Sequence, residues 1–332
     1  MLIGHTDPAA QFRAAVAGGR VHHAWLLAGP WGVGKATFAD AAAAWVLARA
    51  SNSKTAVSID SFDLDPEHPT ARLLAAGSHL DFRKLEVIEN TKTGKMRPGI
   101  ALDQLVKRDT TMGEPLATVL RSTPALGDWR VVIVDSIDDM NRAASNALLK
   151  NLEEPPPQTL FLCVSHTPGR LLPTIRSRCR TLRFQLLSDD EVERALRRAL
   201  PDATASEREA LVAIASGSPG RALRFADAGT DKLLGELAAL ATATPAEATG
   251  RALTLAKSLA GKTAAPRYEA FLDLVPAYIA QAAKTRAGPR LARALGLWER
   301  ATQLGGSAAG LSLDPQSVSF EMAGLVAGLA AA

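Results

Sequence analysis

Residues 29–37 read "GPWGVGKAT" and come close to spelling out a phosphate-binding chemistry. Gly29, Gly32 and Gly34 would let backbone N–H groups close around an oxyanion, and Lys35 would add positive charge at a helix start. The pattern then calls for a hydroxyl, which ligates Mg²⁺ beside the bound nucleotide. Ala36 stands there instead, and Thr37 comes one residue late, roughly 100° further round a helix. Asp135 closes the apolar run "VVIVD", where a carboxylate can hold Mg²⁺ or its water. Hydrolysing sites of this kind place a glutamate next; Ser136 follows here, and a hydroxyl is a poor base near neutral pH. Both losses strike the same chemistry, so the chain alone is not expected to hydrolyse nucleotide. The expected ligand is ATP or ADP at a weak or vestigial site formed by Gly29, Gly32, Gly34, Lys35, Thr37 and Asp135. Asp138 and Asp139 read as acidic residues capping the next helix.

A third group is "TIRSRCRTLRF", whose four arginines at 176, 178, 180 and 183 make a dense basic strip. A solvated or DNA-facing patch would account for the charge but not for its placement. Arginine also stabilises charge on a transferring phosphoryl group, and can do so from a neighbouring subunit. Cys179 has no histidine nearby, and Cys163 sits in an apolar run as a small buried hydrophobe. Two cysteines support neither a disulfide framework nor a four-cysteine zinc site.

These groups need a scaffold. "HAWLLAG", "WRVVIVDS", "TLFLCVSH" and "RTLRFQLL" read as strands, the central ones with the continuous apolar character of parallel strands buried on both faces. "KATFADAAAAWVLARA" and "NRAASNALLKNLEE" read as helices, the second halted by Pro155, Pro156 and Pro157. The alternation predicts a parallel α/β sheet with flanking helices over 1–187. Residues 50–100 read as an irregular insertion with a hairpin or loop. "SDDEVERALRRAL" opens with a serine cap and acidic first turn, and two short helices divided by Gly217-Ser218-Pro219-Gly220 follow, giving a small helical domain over 188–228. The remainder, 229–332, reads as all-helical. His22 and His23 read as packing or hydrogen-bonding groups, and Trp25, Trp31 and Trp129 as packing residues.

The chain has 332 residues, 47% hydrophobic and 22% charged, enough for about two to three domains with proper cores. The net charge of +4 permits contact with nucleic acid without demanding it. No leader peptide or membrane span is legible, so the expected location is cytoplasmic.

The combination "NALLKNLEEPP" with "LLPTIRSRC", preceded by "GGRVHHAWLLAGPWGVGKAT", resembles the AAA+ clamp-loader subunits of bacterial DNA polymerase III. The resemblance implies an AAA+ (P-loop NTPase-type) α/β module, a lid, and a helical collar that joins a hetero-oligomeric ring at the nucleoid-associated replisome. It implies gamma or tau and delta subunits as partners, with the sliding clamp and primer-template DNA met through the complex. It also marks Arg178, framed by Ser177 and Cys179, as an arginine finger offered to a neighbour's ATP. Motor members carry a hydroxyl where Ala36 stands, a glutamate where Ser136 stands and a lid arginine where Gly220 stands, with Arg221 one residue off. The chain therefore resembles the non-hydrolysing member. The alternative is an active gamma/tau-type ATPase using Thr37 with Asp138 or Asp139. The family's four-cysteine zinc module is missing from 38–134, so no zinc is expected.

Overall fold

A computed structural model describes residues 2–330 apart from 20, 52, 54, 91–93, 108–113, 227, 228 and 312. The domain ends read at 228 and 332, and residues 91–93 of the stretch expected to hold a hairpin or loop, lie outside the described residues. The chain divides into two compact units, Met1–Gln185 and Leu186–Ala332.

The first unit is built on strands β1 (Ala24–Ala28), β2 (Phe82–Glu86), β5 (Arg130–Asp135), β6 (Thr159–Ser165) and β7 (Arg180–Arg183), in the order β2-β5-β6-β1-β7. All four pairings are parallel. A short antiparallel pair, β3 (Glu89–Asn90) and β4 (Lys95–Met96), stands apart from this sheet. Every residue of β1 and β6 is buried, as the apolar runs predict. Alternate side chains go to opposite faces. Trp25, Leu27, Val131, Ile133, Leu160 and Leu162 pack with helices α1 (Thr6–Ala17) and α2 (Lys35–Ala50). Leu26, Val132, Val134, Phe161 and Cys163 pack instead with Leu148 and Leu152, which come from a later helix, α5 (Arg142–Glu153). Between α2 and α5 lie the short helices α3 (Pro69–Ala75) and α4 (Leu116–Val119), and after β6 comes α6 (Pro173–Arg176).

The insertion reading for 50–100 needs correction. "FRKLE" at 82–86 is β2, the edge strand beside β5, with Phe82 opposite Val131 and Glu86 opposite Asp135. Its polar residues conceal it because an edge strand buries little; only Leu85 is fully buried. The hairpin expected in the same stretch is present as β3 and β4.

The second unit is helical throughout its described residues: α7 (Asp189–Ala199), α8 (Ala205–Ala215), α9 (Pro219–Leu223), α10 (Thr230–Ala241), α11 (Pro245–Leu259), α12 (Ala265–Lys284), α13 (Gly288–Leu311) and α14 (Pro315–Ala327). Capping boxes start α7 at Ser188 and α8 at Thr204. Pro219 and Gly220 fall inside α9 rather than in the break before it, because Ser218 caps that helix and proline is tolerated in a first turn. One apolar core runs from Leu187 and Val192 through Leu233 and Phe271 to Leu329.

Candidate nucleotide site and the arginine turn

The phosphate loop leaves β1 at the carboxyl end of the sheet, where open α/β folds place their ligands. Gly29 is sterically required: a Cβ there would meet the Phe184 carbonyl oxygen at 2.3 Å, because the chain after β7 crosses directly over the loop. Gly34 has φ 105°, a left-handed conformation that L side chains rarely adopt, and it caps α2 so that the helix N-terminus faces the loop. The cradle is therefore formed as the spacing predicts.

Its charged groups are turned inward. The Lys35 ammonium donates to the Gly29 carbonyl at 2.7 Å and also to that of Pro30. Lys35 is 2% exposed, and burial pulls its pKa down to about 8 against the opposing pull of Asp138 and Asp135. Ala36 follows it in the first turn of α2, and Thr37 is exposed.

Asp135 faces Lys84 of β2, whose ammonium lies 3.6 Å from Asp135, 3.4 Å from Asp40 and 3.7 Å from Glu86. Burial disfavours the Lys84 charge, but the three carboxylates outweigh it and its pKa is raised. The carboxylate that would hold a metal in a hydrolysing site thus has a lysine as its cation. Sequence reading missed Lys84 because it missed β2.

Asp138 does not cap a helix, contrary to expectation. It lies in a 3₁₀ turn, and Asn141 caps α5 by accepting from the Ala144 N–H at 2.9 Å. The Asp138 carboxylate accepts from the Ser136, Ser165 and Thr167 hydroxyls and from the N–H groups of His166 and Thr167, at 2.7–3.2 Å. Burial works against its charge, but these donors prevail and its pKa is lowered. It fastens the end of β5 to the end of β6.

His166, at the end of β6, is a second group that sequence reading missed. Its pKa is lowered first by burial and then by the charge of Lys35, and its Nδ1 is buried with no hydrogen-bond partner among the described residues. Its place just beyond an apolar strand next to β1 was the available signal. Beside Gly29 opens a cleft of about 600 Å³, with Gly169, Phe184 and the guanidinium-bearing Arg176 and Arg183 among its lining.

The arginine strip resolves into separate environments. Arg180 lies over the Trp25 ring at 4.8 Å, while Arg176 and Arg183 line the cleft. Arg178 sits in the turn between α6 and β7, a third exposed, with Nη2 2.8 Å from Glu153 Oε1 and Nη1 donating to the Thr174 carbonyl at 2.9 Å. Ser177 donates to that same carbonyl at 3.2 Å, satisfying a group the end of α6 leaves open. Cys179 packs against the core that contains Cys163 of β6, both as free thiols; the Cys179 thiol and burial raise the Cys163 pKa, and Cys163 lowers that of Cys179. The turn is thereby fastened to the sheet beneath it.

Other expectations divide. Trp25 is buried, whereas Trp31 in the phosphate loop is 46% exposed. His22 bonds to the Ala24 carbonyl and His23 to that of Leu152. Gly220 lies inside α9, and Arg221 reaches Asp273 of α12 at 3.6 Å within the second unit. No group of three or more His, Cys, Asp or Glu residues able to hold a metal ion occurs among the described residues. No described helix is long and apolar enough to cross a membrane.

A sequence model described as "DNA polymerase III, delta subunit" matches residues 4–188. The chain belongs to the DNA polymerase III delta subunit family. It is 39% identical over 210 residues to the delta' subunit of DNA polymerase III from Pseudomonas aeruginosa, a match covering 63% of this chain and 57% of that protein. It is 34% identical over 161 residues to the delta' subunit from Yersinia pestis, covering 48% of this chain and 41% of that one. The match thus spans little more than half of the first relative's length. A gamma subunit-related protein from Thermotoga maritima superposes over 96% of this chain and 98% of its own, at 13% identity and a TM-score of 0.45, too distant a likeness to add to the assignment. The resemblance to bacterial DNA polymerase III subunits carried by "NALLKNLEEPP" and "LLPTIRSRC" is borne out, as is the parallel sheet flanked by helices.

Proposed function

We propose that this chain serves as the delta' subunit of a DNA polymerase III clamp loader, a non-hydrolysing AAA+ subunit that supports a neighbour's ATP site and helps place a sliding clamp on primed DNA. The observation that carries this reading is the contrast between Asp135 and Arg178. The metal-binding carboxylate is occupied by Lys84, whereas the Ser-Arg-Cys guanidinium stands at the surface. Mg²⁺ with ATP does not fit the residues present: Ala36 offers no hydroxyl, Lys35 is spent on its own loop, and Ser136 donates to Asp138 rather than orienting water. The active-motor alternative loses support at Asp138, whose carboxylate is already engaged by the Ser165 and Thr167 hydroxyls and the His166 N–H. What the cradle retains is a helix N-terminus able to hold ADP or ATP weakly.

In this reading α7 to α9 form the lid and α10 to α14 the collar that joins gamma- or tau-type and delta-type partners. Arg178 is the arginine finger. Its planar, permanently charged guanidinium can grip two phosphate oxygens, so lysine replaces it poorly.

Two measurements test the proposal. The isolated chain should release no phosphate from ATP above background, and turnover abolished by Lys35→Ala would refute the non-hydrolysing assignment. In the complex reconstituted with gamma- and delta-type partners, Arg178→Ala should leave assembly intact while lowering DNA- and clamp-stimulated ATPase. A finger at a single site is worth about 10³–10⁵ in rate; the loss here should be smaller, because a ring has other sites. Arg178→Lys should rescue little. Normal clamp loading by the Arg178→Ala complex would leave only a scaffold.

A further inference from the structure

Among the four arginines of the strip, Arg178 is singled out by a carboxylate partner. Glu153 is the last residue of α5 and lies 2.8 Å from the guanidinium. Its position is electrostatically odd. A helix C-terminus carries partial negative charge and favours lysine or arginine in its last turn, yet α5 ends on Glu153 with Glu154 as its cap residue. Nor does Glu153 serve the core, since its side chain is 48% exposed. An ion pair this exposed adds little to stability. What the pair does change is the freedom of a long side chain with four rotatable bonds. Nη2 is held by Glu153 and Nη1 by the Thr174 carbonyl, so both terminal nitrogens are anchored and the plane of the guanidinium is set.

The anchors come from two separate elements that the fold brings together. Glu153 stands before the Pro155–Pro157 run that ends α5, so its backbone cannot drift with a lengthening helix. Thr174 belongs to α6, which is pinned by the fully buried Ile175. Behind the turn, Cys179 packs against the core cluster that contains Cys163 of β6. The arginine is exposed, but its base and its tip are both fixed.

We infer that Glu153 is the positioning residue for Arg178, orienting the guanidinium for a partner's phosphate before the subunits meet. This rests on the finger reading of Arg178. A flexible arginine must lose rotamer freedom when it engages charge that develops in the transition state, whereas a preorganised one has already lost it. The benefit should therefore appear in turnover rather than in nucleotide affinity.

The test is a double-mutant cycle in the reconstituted complex, with steady-state ATPase read as kcat and KM for ATP and assembly checked by co-elution. Glu153→Gln keeps the shape and removes the charge. It should lower the stimulated kcat by about three- to tenfold, with assembly and KM unchanged, and Glu153→Asp should recover part of the loss. In the Arg178→Ala background Glu153→Gln should add nothing, because the group it positions is gone. A silent Glu153→Gln beside a defective Arg178→Ala would overturn this inference and leave the finger standing. A Glu153→Gln defect that multiplies with Arg178→Ala would also overturn it, since Glu153 would then act elsewhere. If Arg178→Ala is itself silent, the finger reading falls first and the positioning role falls with it.

Discussion

The corner that holds the phosphate loop and the turn that holds Arg178 lie in one unit, and both are rich in charge, but they use it in opposite ways. At the corner Lys35, Lys84 and Asp138 are each engaged by several groups of their own chain. Lys35 donates to loop carbonyls, Lys84 sits among Asp40, Glu86 and Asp135, and Asp138 is ringed by donors from the end of β6. At the turn, Arg178 makes a single exposed ion pair and one carbonyl bond. Charge that has been satisfied internally stabilises a fold, whereas charge kept at the surface is available to a partner. A nucleotide motor would need the reverse at the corner, with lysine and carboxylate free to receive phosphate and metal.

The comparison can be broken most sharply at Asp138. Asp138→Ala leaves the hydroxyls and N–H groups at the end of β6 without their acceptor, and should cost roughly 2–4 kcal/mol of stability in urea titrations. Because its folded pKa lies below the ordinary 3.8, its contribution is complete above that value and is lost as pH falls through the folded one. The deficit of the variant should therefore shrink in acid. A deficit independent of pH would mean that the carboxylate charge is not what holds the two strand ends.

Lys84→Met should cost less, about 1 kcal/mol, because Asp40 and Glu86 are half exposed and screened by solvent. It leaves Asp40, Glu86 and Asp135 facing one another. The loss should come with a further rise in the Asp40 pKa, already raised by burial, readable by NMR titration. An unmoved Asp40 would remove Lys84 as the resident cation of the corner.

Lys35 is shifted the other way from Lys84. Its folded pKa of about 8 lies below the ordinary 10.5, so between these values the unfolded chain binds more protons and stability should rise with pH. Lys35→Met should flatten that rise while changing stability little at neutral pH. A persistent slope would assign it to another group.

The smallest effect on stability belongs to the residue with the largest expected effect on function. Arg178→Ala should change the thermal midpoint by the equivalent of less than about 1 kcal/mol. Substantial unfolding of this variant would erase the distinction between the two regions.

Much of this was legible from residue order. The buried strands β1, β5 and β6 announced themselves as unbroken apolar runs, and α5 by its periodicity and its proline stop. The glycine–lysine spacing located the cradle, and Ala36 and Ser136 mark where a hydroxyl and a carboxylate are absent beside it. What escaped was whatever depends on neighbours distant in sequence. β2 is an edge strand with one fully buried residue, so it carries no run to recognise, and Lys84 escaped with it. Asp138 carries the composition of a cap, and only the approach of the end of β6, some 27 residues away, gives it another use.

By itself, the sequence determined which groups are absent, because a missing hydroxyl at Ala36 or a missing carboxylate at Ser136 cannot be restored by folding. It also determined which groups were left, including the Ser-Arg-Cys triplet. The tertiary structure decided what those groups do, because hydrogen bonds and ion pairs fall off within a few ångströms and their partners are chosen by packing. Lys84 reaches Asp135 only because β2 lies beside β5. Glu153 reaches Arg178 only because α5 ends where the turn after α6 passes.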